Sequence, residues 1–146
     1  MEKKLKKISK KVNYYLNSYL SKSNSSELIV PMKYGLFPGG KKIRSKIIFD
    51  VGRIFNVNEK NLLILAASVE AIHAYSLIHD DLPCMDDDKL RRGKLSTHIK
   101  FGESTAILAG NSLLTTAFEI LSDKNLKVED KIKSRLINLL SRCSGQ

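Results

Sequence analysis

Tryptophan is absent from this 146-residue chain, and proline occurs only three times. Few prolines suit a mostly helical chain, because a proline inside a helix removes a backbone donor and clashes with the preceding turn. Cysteine is nearly as scarce. Cys84 and Cys143 match neither a zinc-ligand spacing nor a disulfide framework, so they read as reduced thiols of a cytoplasmic protein. No apolar run opens the chain: the lysine-rich start passes into VNYYLNSYL, so no secretory signal is expected. The longest apolar stretch, Leu62 to Ile78, carries Glu70 and His73 and reads as a buried core helix, not a membrane span. Period-two alternation is missing over any useful length, and no repeat recurs at a fixed period.

What is present in excess is positive charge, a formal +10. Such an excess suits nucleic acid or anionic lipid. Much of it, however, lies in the first eleven residues, at Lys3, Lys4, Lys6, Lys7, Lys10 and Lys11. A basic amphipathic helix is ordinarily a solvated face, and no aromatic-interleaved motif accompanies it, so no nucleic-acid partner is expected. Small anions such as diphosphates fit the charge equally well. With 42% hydrophobic and 27% charged residues, the chain has the composition of one globular domain with a real core.

Apolar residues at spacings of three and four make the first twenty residues an amphipathic helix, through Leu5, Ile8, Val12, Tyr15, Leu16 and Tyr19. A serine-rich loop follows, in which Ser25 or Ser26 is placed to cap a short helix over Leu28 to Leu36. Further helices are expected from Lys41 to Phe55, from an Asn58 cap to about Asp81, from Phe101 to Leu121 and from Val128 to Cys143. Pro83 disfavours helix at Leu82, and the charged segment from Pro83 to His98 reads as loop. The fold class is all-α, a single domain over 1–146 divided into a basic first helix and loop (1–24) and a helical remainder (25–146).

Three groups carry possible chemistry. In GGKKIR, Lys41 and Arg44 stand three apart at a helix start, behind two glycines that leave N–H groups open to an anion. The same residues also make a glycine-rich turn with two solvated cations. On the long apolar helix, His73 and Asp80 lie two turns, about 10 Å, apart along one face, with Ser76 between them. A lone histidine there is ordinarily a satisfied core residue, and the six-residue spacing of His73 and His79 does not match zinc pairing. The third group is LIHDDLPCMDDDKLRRG, which sets Asp80, Asp81, Asp86, Asp87 and Asp88 beside Lys89, Arg91 and Arg92. It reads either as a solvated acidic turn or as a site for Mg²⁺, which takes one or two carboxylates plus substrate phosphates. The glycine and glutamate of an EF-hand are missing at the required offsets.

The segments MKYGLFPGGKKIR, AASVEAIHAYSLIHDDLPCMDDDKLRRG and STHIKFGESTAILAG together resemble the trans-isoprenyl diphosphate synthases (polyprenyl synthetases), the bacterial farnesyl type above all. The resemblance implies the isoprenoid-synthase helical bundle and a head-to-tail condensation of isopentenyl diphosphate with an allylic diphosphate, dimethylallyl or geranyl. It implies that Lys41, Arg44, His73 and Arg92 bind isopentenyl diphosphate and that Arg91 holds the allylic diphosphate. Asp80 and Asp86 would ligate Mg²⁺ (or Mn²⁺), with Asp81 supporting, so that Asp80, Asp81, Asp86 and Arg91 form the catalytic set. Tyr75 and Ser76 precede Asp80 where the family sets product length. An aromatic at Tyr75, with two extra residues inside the aspartate motif, suits a short product: farnesyl diphosphate first, geranyl or geranylgeranyl diphosphate as alternatives.

Departures from the family pattern are Ser45, where proline commonly follows the arginine, and Asn111, where aspartate is usual. Members of the family are roughly twice as long, work as homodimers, and carry a second aspartate-rich motif that this chain does not contain. Two expectations follow. Either the sequence is the N-terminal part of a working prenyltransferase, or it is a non-catalytic remnant or regulatory partner that docks on a full-length homologue.

Overall fold

The computed structural model describes residues 2–22 and 27–145. Helix α1 (Glu2–Leu20) turns Ile8, Val12, Leu16 and Leu20 inward at a constant spacing of four, and its lysines face solvent. Helix α2 (Ile29–Leu36) begins one residue later than expected, and the predicted caps Ser25 and Ser26 lie outside the described residues, as does the 24/25 boundary. Gly35 in α2 is a point of close approach, since a Cβ there would run into Ile78 and Thr97. Helix α3 (Ile43–Ile54) starts two residues later than the sequence suggests, because Lys42 adopts a left-handed conformation with φ 50°.

Helix α4 (Glu59–Asp80) is the axis of the fold. Asn58 caps it as predicted, its side chain accepting from Lys60 N at 2.8 Å. Apolar on nearly every side, α4 packs most extensively on α6 (Glu103–Ser122) and next on α3, and it also touches α1 and α2. Both helices bury many small residues, Ala67, Ala71 and Ala74 on α4 and Ala106, Ala109, Gly110 and Ala117 on α6. Ser68 Oγ crosses the α4–α6 seam to donate to Ala117 O at 2.8 Å. By length and composition α4 would suffice to cross a bilayer, but half of its most apolar stretch is buried inside the protein, as in a core helix.

The segment expected to be loop contains a small hairpin. Strands β1 (Leu90–Arg91) and β2 (Lys94–Leu95) pair antiparallel, with Leu90 opposite Leu95. Arg92 and Gly93 form the turn with φ of 54° and 76°, the signature of a type I′ hairpin. Next comes a short helix, α5 (Thr97–Phe101), separated from α6 by Gly102 at φ 88°. The helix expected from Phe101 to Leu121 is α6, starting two residues later, and α5 begins within the segment expected to be loop. The last helix, α7 (Asp130–Ser144), has no fully buried residue and leans on the core through Leu136, Ile137 and Leu140. The described residues are all-α apart from the hairpin.

Candidate functional site

The turn from α2 into α3 does something an ordinary chain resists. Gly39 (φ 92°), Gly40 (φ 126°) and Lys42 (φ 50°) all take positive φ, two at glycine and one at a cost. The turn thereby borders a cavity of about 320 Å³ between α3, α4 and the hairpin, and Lys41, Arg44, His73 and Arg92 line it together. Gly40 suits its φ of 126°, which residues with a side chain rarely adopt, and a Cβ there would displace the Arg92 guanidinium. Arg92 reaches this place from the tip of the hairpin. Four residues named from sequence thus share one wall, although Lys41 precedes the helix and does not share a helical face with Arg44, as the spacing had suggested.

Arg44 Nη1 lies 3.3 Å from His73 Nε2. Burial, and then the positive charges of Arg44, Lys42 and Arg92, push the His73 imidazole below its usual 6.5, with Glu70 opposing them. The ring is therefore neutral at pH 7, and its Nε2 accepts from Arg44. Lys41, Lys42, Arg44 and Arg92 bring four cations to a cavity that also holds one carboxylate, Glu70, and with the neutral histidine the lining is suited to an anion with several oxygens.

Beneath this wall lies a group that sequence reasoning missed. Glu70, 2% exposed, accepts from Ser45 N at 3.2 Å and from Ser45 Oγ at 2.8 Å. Its other oxygen pairs with Lys42 Nζ at 3.3 Å, and both side chains are almost fully enclosed. Burial pulls the Lys42 ammonium below its ordinary value, Glu70 counteracts that, and Arg92 adds to it. The signal was available: Glu70 is the only charged residue in the Leu62–Ile78 run, and a carboxylate there needs a partner.

The five aspartates separate into distinct roles. Asp80 ends α4, and its carbonyl accepts from Asp86 N at 2.9 Å, which folds Pro83 and Cys84 outward and returns Asp86 beside Asp80. Asp81 turns inward, 2% exposed, and takes Arg91 Nε at 2.7 and 2.8 Å on its two oxygens, with Arg91 Nη2 on the same carboxylate. Asp88 also stands 3.6 Å from that Nη2. Asp87 and Asp88 are otherwise exposed. Among the described residues no three His, Cys, Asp or Glu side chains converge as a metal cage. Asp80, Asp86 and Asp87 form no ion pair among the described residues, which leaves three carboxylates of the segment uncommitted to a cation.

Neither Tyr75 nor Ser76 lines the cationic cavity. Tyr75 packs edge-on to His79 with ring centroids 4.8 Å apart, and Ser76 Oγ donates to His73 O at 3.1 Å. His79 Nε2 lies 3.1 Å from Ile107 O across the seam, in space left by Gly110. That is a structural post, in keeping with its mismatch to zinc pairing.

The chain is similar in sequence and fold to known proteins. The polyprenyl synthetase family model matches residues 25–146. Farnesyl diphosphate synthase of Buchnera aphidicola is 44% identical over 95% of this chain and 49% of its own length, and that of Escherichia coli is 48% identical over 83% and 41%. A Legionella pneumophila geranyltransferase structure superposes with a TM-score of 0.90 at 36% identity, over 98% of this chain and 51% of its own. The chain spans about half the length of the curated relatives it matches. On the strength of both the motif-bearing sequence and the helical frame that carries it, the chain belongs to the polyprenyl synthetase family.

Proposed function

We propose that the chain forms the diphosphate-binding half of a short-chain prenyltransferase that condenses isopentenyl diphosphate with dimethylallyl or geranyl diphosphate. The observation that carries this reading is the shared cavity of Lys41, Arg44, His73 and Arg92. In it the isopentenyl diphosphate oxygens are bound by charge-assisted hydrogen bonds, and neutral His73, its Nε2 accepting from Arg44, carries its proton on Nδ1. The allylic diphosphate lies toward Asp80 and Asp86. Mg²⁺ held there supplies Lewis-acid stabilisation of the departing diphosphate. Arg91 uses Nε and Nη2 on Asp81, so its Nη1 edge remains to meet a phosphate oxygen. Cleavage of the allylic C–O bond leaves a carbocation. The double bond of isopentenyl diphosphate attacks it, and a proton is then lost.

Farnesyl diphosphate is the proposed product, with geranyl and geranylgeranyl diphosphate as alternatives; Tyr75 and Ser76 are the residues of α4 proposed to set the length. Similarity to bacterial farnesyl diphosphate synthases supports the first product, and similarity to a geranylgeranyl pyrophosphate synthase of Catharanthus roseus keeps the longer one as an alternative. Cys84 and Cys143 are unpaired and exposed, which suits the reducing cytoplasm.

One observation favours the second reading, a non-catalytic partner of a full-length homologue. Ile43, Ile47, Val51, Ile54 and Phe55 are exposed along α3. An assay separates the two. Labelled isopentenyl diphosphate, geranyl diphosphate and Mg²⁺ are supplied to a chimera of this chain with the remaining half of the Escherichia coli relative. Farnesyl diphosphate is expected, and Asp80→Ala should nearly abolish it. Full turnover in that variant removes the metal role, and a folded chimera that makes no product overturns the enzymatic reading.

A further inference from the structure

We infer that Glu70 is a positioning residue of the cationic cavity: through Ser45 and Lys42 it fixes the first turn of α3 and so holds Arg44 against His73. The inference rests on the reading of that cavity as a diphosphate site. A negative charge beneath an anion pocket opposes anion binding, so its presence needs a reason. The geometry supplies one. Ser45 lies in the first turn of α3, where backbone N–H groups have no partner inside the helix. Glu70 accepts from one of these at 3.2 Å and from the Ser45 hydroxyl at 2.8 Å, which anchors the helix start to α4. Its second oxygen pins Lys42 at 3.3 Å, on the very residue forced to a φ of 50°. The turn carrying Lys41 and the side chain of Arg44 are thus held from both sides.

Ser45 makes this arrangement particular to the chain, because a proline at that position offers neither the N–H nor the hydroxyl. Lys42 lines the cavity but is spoken for, which leaves Lys41, Arg44 and Arg92 as the cations facing an incoming anion.

The test uses the 146-residue chain, the variants Glu70→Ala and Glu70→Gln, and two readouts. One is the His73 titration by NMR, and the other is affinity for inorganic pyrophosphate. If Glu70 acted on His73 only as a charge, removing it would lower the imidazole pKa further, since Glu70 is the one neighbour that raises it. Release of Arg44 has the opposite sign. In Glu70→Ala the His73 pKa should rise toward its unperturbed value and pyrophosphate affinity should fall about tenfold. A His73 pKa that stays or falls, or an affinity that is unchanged or improved, overturns the inference. Should Glu70→Ala not fold, Glu70→Gln decides. Its amide oxygen still serves Ser45 but releases Lys42, so a loss of pyrophosphate affinity is expected, whereas an unchanged or improved affinity, as removal of a repelling charge alone would give, is contradictory. A wild-type chain that does not bind pyrophosphate overturns the diphosphate reading instead, and the His73 titration still decides the role of Glu70.

Discussion

Asp81 and Arg91 show how adjacent, chemically identical residues come to differ. In sequence Asp80 and Asp81 are equivalent members of one motif. In the fold Asp81 stands at the end of α4 facing inward, its side chain 3% exposed, and the Arg91 fork closes on it. Nothing in a string of aspartates reveals which one faces inward; the twist of the last helical turn decides. Removing one partner of a buried pair typically costs 3–5 kcal/mol. Arg91 is one-quarter exposed, so Asp81→Asn should destabilise the chain by about 2 kcal/mol, seen as a lower urea midpoint. An unchanged midpoint would mean the pair contributes little. His73 gives a second residue-scale prediction. Its folded-state pKa lies below the unfolded value of 6.5, so the unfolded chain takes up the proton first. The stability it contributes is complete above that value and declines as pH falls through it. His73→Gln should therefore flatten the dependence of the urea midpoint on pH between about 7.5 and 6.

At the scale of elements, helices with a clean periodicity and a cap were legible from sequence. Asn58 starting α4 is one case, and the fourfold spacing from Ile8 to Leu20 is another. The elements that aim the site were not. Two-residue strands are too short to show alternation, and the hairpin turn places an arginine where φ is positive, a conformation usually left to glycine or asparagine. Lys42 breaks the same rule at the start of α3. Both exceptions border the cavity, where backbone strain is tolerated because neighbouring contacts hold it. Gly40 is their hinge. In Gly40→Ala the new Cβ meets Arg92 at a backbone angle that alanine rarely adopts. The variant should lose about 1–2 kcal/mol of stability and at least tenfold in pyrophosphate affinity, by urea titration and calorimetry. Unchanged binding would show that Arg92 has no part in holding the anion.

Over the whole molecule, the described residues form one layer of helices around α4, with the cationic cavity on one side and the Asp80–Asp86 pair at the end of α4. The family motifs made this layout readable in advance, because they fix the order of cations, aspartates and arginines along the chain. The Lys42–Glu70–Ser45 cluster was not readable, since it joins residues 25 to 28 positions apart through one buried carboxylate. With about half the length of its relatives and an apolar stripe open on α3, the chain alone should bind diphosphate yet give no more than trace condensation. Calorimetric titration of isopentenyl diphosphate into the 146-residue chain, without added metal, tests the cavity most directly. One site is expected, weakened at least tenfold in Arg44→Ala. Absence of binding, or binding indifferent to Arg44, would contradict the assignment of the cavity to a diphosphate.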